Sequence, residues 1–200
     1  MKIGWLGFLG IVVLAALIVG FMVTGIYNDI VGREQDVNTK WAQVQNAYQR
    51  RADLIPNLVN TVKGYAAHER ETLESVTASR SQVGSIQASP DILNRPAEFE
   101  KFQQAQASLS SALSRLLVVV ERYPDLKANQ NFLELQNQLE GTENRISVER
   151  KRFNESAQAY NTRIKQVPAV LVARLFGFQE KQYFQAAAGA DRAPTVDFTK

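Results

Sequence analysis

A chain of 200 residues, with 23 Lys and Arg against 20 Asp and Glu, has room for one ordinary domain and an accessory segment. A net charge of +3 is too balanced to argue for a nucleic-acid partner. With no cysteine, a disulfide framework, a thiolate metal site and a lipid-modified N-terminus are all excluded.

Residues 4–26, GWLGFLGIVVLAALIVGFMVTGI, carry no charge. Such a run is long enough to cross a hydrocarbon core of about 30 Å. It exceeds the 7–15-residue apolar core of a signal peptide (roughly), and no small-x-small cleavage site follows. Residues 1–27 are therefore expected to be an uncleaved transmembrane anchor. Lys2 lies closer to the span than Arg33 and Lys40. The positive-inside rule then favours a cytoplasmic N-terminus and an external domain.

Beyond the anchor, Val37, Trp41, Val44, Tyr48, Ile55, Leu58, Val62, Tyr65, Leu73 and Val76 recur at intervals of four and three. This is the stripe of a long amphipathic helix, with Arg51 at the position the stripe skips. Asn28 or Asp29 is placed to cap its start, although helix can also run on from the anchor. Pro56 removes a backbone donor and crowds the carbonyl of Ala52, at a cost of about 3 kcal/mol. The stripe keeps its phase across Pro56, so the reading is a continuous, kinked helix ending near Gly84, about 85 Å long from residue 28.

Pro96 suits the first position of a second helix, with Asn94 as its cap. Its stripe is Phe99, Phe102, Leu109, Leu113, Leu116, Leu117 and Val120, and Tyr123-Pro124 stops it. A third helix is expected from Asp125 to Pro168, with Phe132, Leu135, Leu139, Ile146, Phe153, Tyr160, Ile164 and Val167 at near-heptad, coiled-coil-like spacing. The segment PAVLVARLFGFQEKQYFQAAA reads as a shorter apolar helix interrupted at Gly177. The predicted fold is all-α: an antiparallel four-helix bundle of long helices over residues 28–188, on a single N-terminal transmembrane helix. Residues 189–200 form a flexible or extended tail, whose PTVDF could add to a partner's edge.

Three stretches, LIPNLVNTVKGYAAHE at 54–69, YPDLKANQNFLELQNQLEGTENRI at 123–146 and AYNTRIKQVPAVLVARLFGF at 159–178, resemble the LemA family of bacterial membrane proteins. The resemblance spans essentially the whole chain. It implies a helical bundle behind one N-terminal span, supplies no enzymatic reaction, and suggests membrane organisation, since relatives serve in magnetosome membranes.

The candidate sites are few. His68 and Glu69 adjoin as in a zinc-protease helix, but Thr72 occupies the place of the second histidine. A metal would need several carboxylates around His68, and no nucleophile-elbow pattern surrounds a serine. No catalytic, cofactor or metal residue is assigned, and His68 reads as a hydrogen-bonding residue of the distal helix.

Asn57, Lys63 and Glu69, with Asn129, Asn131, Glu143, Asn144 and Arg145 on the third helix, leave two readings open. They can form a buried polar network that fixes helix register, or line a ligand pocket. The basic run Arg145, Arg150, Lys151, Arg152, Arg163 and Lys165 is interleaved with Glu149 and Glu155. It reads as a solvated face, then as a surface for anionic lipid, and last as one for nucleic acid.

The expectation is a non-enzymatic, membrane-anchored scaffold. Its partners would be the lipid bilayer, copies of itself and other envelope membrane proteins, with no nucleic acid and no cofactor. A sensor with a ligand in the bundle core is the alternative, and a hydrolase using His68 the remote one.

Overall fold

The computed structural model describes residues 2–86 and 89–185, apart from the side chains of residues 2–4 and 6. The described residues are helical throughout most of their length and contain no strand. In chain order the helices are α1 (Lys2–Tyr65), α2 (Arg70–Ser85), α3 (Pro96–Val120), α4 (Pro124–Lys127), α5 (Gln130–Lys165) and α6 (Ala169–Phe176). A 3₁₀ turn, Pro90–Asn94, precedes α3, and an extended segment follows α6.

α1 runs unbroken for 64 residues, about 96 Å at 1.5 Å per residue, from the apolar N-terminal run through Pro56. It is long and apolar enough to cross a membrane, and its large side chains from Phe8 to Met22 stand exposed. The proline is tolerated because its orphaned acceptor finds another donor. The Ala52 carbonyl, which residue 56 has no N–H to reach, accepts from Arg80 Nε of α2 at 2.9 Å.

That contact also marks the main departure from the sequence reading. Helix does not continue to Gly84; it ends at Tyr65, turns over residues 66–69, and returns as α2 alongside α1. Apolar spacing cannot reveal the reversal, because Val62, Ala66, Leu73 and Val76 stay in phase through it, and all four are buried. Tertiary contacts decide it. The turn closes with Glu69 N–H on the Ala66 carbonyl at 3.1 Å. The Glu69 carboxylate accepts from Arg122 Nη2 at 3.0 Å and from the Tyr123 hydroxyl at 2.9 Å.

α3 starts at Pro96 as expected, although Asn94 does not cap it; its side chain is engaged elsewhere. Asp125 lies in the single turn of α4, and α5 begins only at Gln130, because the Asn129 side chain accepts from Phe132 N–H at 3.0 Å. α5 lies antiparallel to α1. Glu143 meets Arg51, Ser156 meets Asp36 and Arg163 meets Asp29, the numbers falling on one helix as they rise on the other. Val167, assigned to the α5 stripe by spacing, is 83% exposed.

α6 closes at Gly177, whose φ of +76° is the left-handed conformation a helix C-terminus favours. The chain beyond it is extended, where apolar content suggested more helix.

The core has two tiers. The membrane-proximal one is aromatic, with Trp41 fully buried and its ring 5.4–6.0 Å from those of Phe99, Phe102, Phe153 and Phe184. The distal tier is aliphatic, built from Ile55, Leu58, Val62, Val76, Leu109, Leu116 and neighbours. Arg51, Gln106 and Thr142, all buried, lie between them.

Candidate functional site

Most of the residues singled out from sequence are on the surface. Pro56, Asn57, Lys63, His68, Asn131, Asn144 and Arg145 are exposed, so they form neither a buried register network nor a core pocket. Glu69 is partly buried and pins the α1–α2 turn to the end of α3. Its hydrogen bond keeps the proton on Tyr123 and raises the pKa of that phenol. Glu143 takes part in a polar layer, though from an exposed position.

The centre of that layer is Arg51, 2% exposed. Its Nη1 donates to Ser110 Oγ and Glu143 Oε2, both at 2.8 Å. Its Nη2 donates to the Gln106 side-chain oxygen at 2.5 Å and to the Gln106 carbonyl at 3.4 Å, while Nε has no partner. The guanidinium thereby ties α1 to α3 and α5 at one level, which fixes their register. Tyr48, one turn earlier, is buried enough for its phenol pKa to be pushed up. An open cleft of about 380 Å3 lies above, with Tyr48, Arg51, Ser110, Glu143 and Arg150 among its walls.

Nearer the membrane, α1, α3 and α5 leave a groove that the extended segment fills. Two asparagines on α5, seven residues apart, grip its backbone. Asn161 Nδ2 donates to the Lys181 carbonyl at 2.9 Å, and its Oδ1 accepts from Lys181 N–H at 2.8 Å. Asn154 does the same to Phe184, with both bonds at 2.9 Å. The spacing is matched. Seven helical residues rise about 10.5 Å, and three extended residues span about 10 Å.

The segment's other edge pairs through Gln182 N–H with the Leu93 carbonyl at 3.0 Å. Its side chains are anchored too. Phe184 sits in the Trp41 cluster, and Lys181, 4% exposed, donates to Glu34 Oε1 at 2.6 Å and Asn94 Oδ1 at 2.9 Å. The Lys181 ammonium also lies 5.3 Å from the centre of the Tyr160 ring. Burial raises the pKa of the Tyr160 phenol, and its hydroxyl has no partner.

Among the described residues no group of three or more His, Cys, Asp or Glu side chains is placed to hold a metal ion. What the groove does recognise is extended backbone, flanked by an aromatic and an ammonium anchor. Sequence reasoning missed Asn154 and Asn161. The available signal was that each directly follows a buried stripe aromatic, Phe153 and Tyr160.

This helical body behind an apolar helix matches a known pattern: residues 40–198 fit the LemA family profile. The chain belongs to the LemA family. Relatives include the magnetosome protein MamQ of Magnetospirillum gryphiswaldense, 29% identical over 183 residues, covering 82% of this chain and 66% of MamQ. Magnetosome protein MamQ 1 of Paramagnetospirillum magneticum is 26% identical over 181 residues, with the same coverages. Protein LemA of Metamycoplasma hominis is 24% identical over 167 residues, 84% of this chain and 72% of that protein. The chain thus spans 66% of the length of the MamQ proteins, just under two thirds. This LemA-family chain is a membrane-associated helical protein.

Proposed function

We propose that the protein is a non-enzymatic, single-pass scaffold of the bacterial inner membrane, which self-associates and organises other envelope membrane proteins. α1 confines the bundle to two dimensions and so raises its effective concentration for lateral partners. The bundle lies on the periplasmic side, in line with the basic residue nearest the span. The names of the magnetosome relatives support a role in membrane organisation.

The observation that carries this reading is the clasped groove. Its most polar buried side chains hold a stretch of the chain's own backbone, a mode that an extended segment of a neighbouring copy satisfies equally well. Gln185 N–H lies 3.3 Å from Gln103 Oε1, and the chain has no cysteine. Differently tagged Gln103→Cys and Gln185→Cys chains, co-expressed in native membranes, should therefore form a disulfide-linked pair. Native mass determination in nanodiscs should show more than one copy or companion proteins. A strictly monomeric species without companions and without that crosslink refutes the scaffold.

The cleft beside Arg51 favours the second reading, a sensor for a small polar ligand, because Arg51 and Arg150 line it together with Glu100 and Glu143. A thermal shift in a screen of small zwitterionic and polar compounds that Arg51→Met abolishes would move the assignment there. His68 stands exposed in the α1–α2 turn, and a His68→Ala variant that keeps fold and phenotype would eliminate the remote hydrolase reading.

A further inference from the structure

Among the described residues of the bundle, large exposed apolar side chains are scattered singly, as Tyr65, Val118, Leu133 and Val148 are, except in one place. Val167 is 83% exposed, Leu171 66%, Leu175 76% and Phe176 52%. Leu171 and Leu175, four residues apart, form one ridge along α6, and Val167 stands exposed in the turn leading into it. The opposite face of α6, Ala169, Val172 and Ala173, is buried in the same core cluster as Ile26 and Ile30 of α1.

That docking fixes the ridge's height. The exposed apolar run of α1 ends at Met22, and Ile26, one turn on, is already 7% exposed beneath α6. The Phe176 ring lies 4.8 Å from that of Tyr27, and the Phe178 ring 5.7 Å from it. One helical turn is about 5.4 Å. α6 therefore packs where α1 leaves the hydrocarbon, at headgroup level, with its apolar ridge uncovered. Basic groups stand at the same level: Arg174 is exposed, Lys165 pairs with Glu180 at 2.7 Å, and Arg163 pairs with Asp29.

We propose that α6 is an interfacial helix that seats Val167, Leu171, Leu175 and Phe176 in the headgroup–acyl boundary of the phospholipid bilayer, so that the protein holds the membrane at two points. An apolar ridge with flanking basic residues is the pattern of helices that lie in that plane. The occupant is lipid because α6 packs on Ile26 and Tyr27, within about one turn of the exposed apolar run that ends at Met22. A ridge at the far end of the bundle would carry no such implication. Two attachments fix both the tilt and the rotation of the bundle, which one helix passing through a bilayer leaves free. They also set the height of the clasped groove, since the extended segment leaves directly from α6.

This inference rests on α1 being the membrane anchor, and the experiment separates the two. The cysteine-free full-length chain allows single nitroxide labels at Val13→Cys, Val148→Cys, Leu171→Cys and Leu175→Cys. All four positions are exposed, so the fold tolerates them. In nanodiscs of phosphatidylethanolamine and phosphatidylglycerol, collision rates with oxygen and with a water-soluble nickel chelate are measured at each site.

The expected result is that labels at 171 and 175, like the label at 13, are oxygen-rich and shielded from nickel, whereas 148 is open to it. Labels at 171 and 175 as nickel-accessible as 148, with 13 still shielded, overturn the interfacial helix and leave the anchor standing. Nickel access at 13 overturns both. Shielding at 171 and 175 that disappears at one protein copy per nanodisc identifies a second copy as the cover and also overturns the lipid assignment.

Discussion

Replacing Asn161 by alanine tests whether the extended segment is held by side-chain clasps or by apolar contact alone. Asn161 is 3% exposed and makes three hydrogen bonds, two to the Lys181 backbone and one from Nδ2 to the Tyr183 hydroxyl at 2.9 Å. Tyr183 is 38% exposed and can turn to water, so its loss costs little. The Lys181 N–H and carbonyl cannot, and each buried backbone group left unpaired costs about 1–3 kcal/mol.

The segment escapes part of that penalty by detaching, which caps the effect near the free energy of docking. A local loss of about 2–4 kcal/mol corresponds to roughly 30- to 900-fold faster amide exchange at Lys181. Hydrogen exchange of the full-length protein in detergent micelles should show this over residues 178–185, with the amides of α1 and α5 unaffected. Trypsin should cut after Lys181 correspondingly faster. Unchanged exchange at Lys181 and Phe184, or a fall in global stability with the segment still protected, would refute the clasp as the holding device.

Tyr160→Phe should stabilise the fold by about 1 kcal/mol, since it removes a buried hydroxyl without a partner, measured as a shift in denaturation midpoint. The raised pKa of Tyr160 means that the fold favours the neutral phenol. Its contribution is intact below the ordinary tyrosine value near pH 10 and falls as pH rises beyond it. Tyr160→Phe should accordingly soften alkaline unfolding in a pH titration followed by circular dichroism. Arg51→Ala should cost about 2–4 kcal/mol, because Gln106 and Ser110 lose their buried donor and a cavity opens, and Arg51→Lys should recover little of it. Pro56→Ala should stabilise α1 by up to about 3 kcal/mol while its new N–H competes with Arg80 for the Ala52 carbonyl, so that exchange in α2 quickens even as the melting temperature rises.

Fold class was legible because the burial of long helices is written at intervals of three and four. Trp41, Phe102, Leu116 and Phe153 are all buried where the stripes put them. The hairpin at residues 66–69 was not legible. Its stripe keeps phase, neither Gly nor Pro stands in it, and the contacts that hold it come from Arg80, Arg122 and Tyr123, far along the chain. The polar candidates failed for a related reason. Neighbourhood to the motif LIPNLV says nothing about which side of a helix faces in, whereas the gap left by Arg51 between Tyr48 and Ile55 did mark a buried position. Asn154 and Asn161 stayed hidden because their partner is main chain, which carries no residue identity to read.

The length of α1 has a mechanical consequence. With α1 crossing the bilayer as proposed, residues 28–65 project about 57 Å past it as one stiff rod. A span held at that one crossing, inclining by about 20° to suit a thinner or thicker bilayer, would swing the far end sideways by roughly 20 Å. Seating α6 removes that freedom, so membrane thickness, a property of lipid, is not passed on to the position of the Glu69 turn at the tip, while α5 and its cap brace the rod from Asp29 to Tyr65.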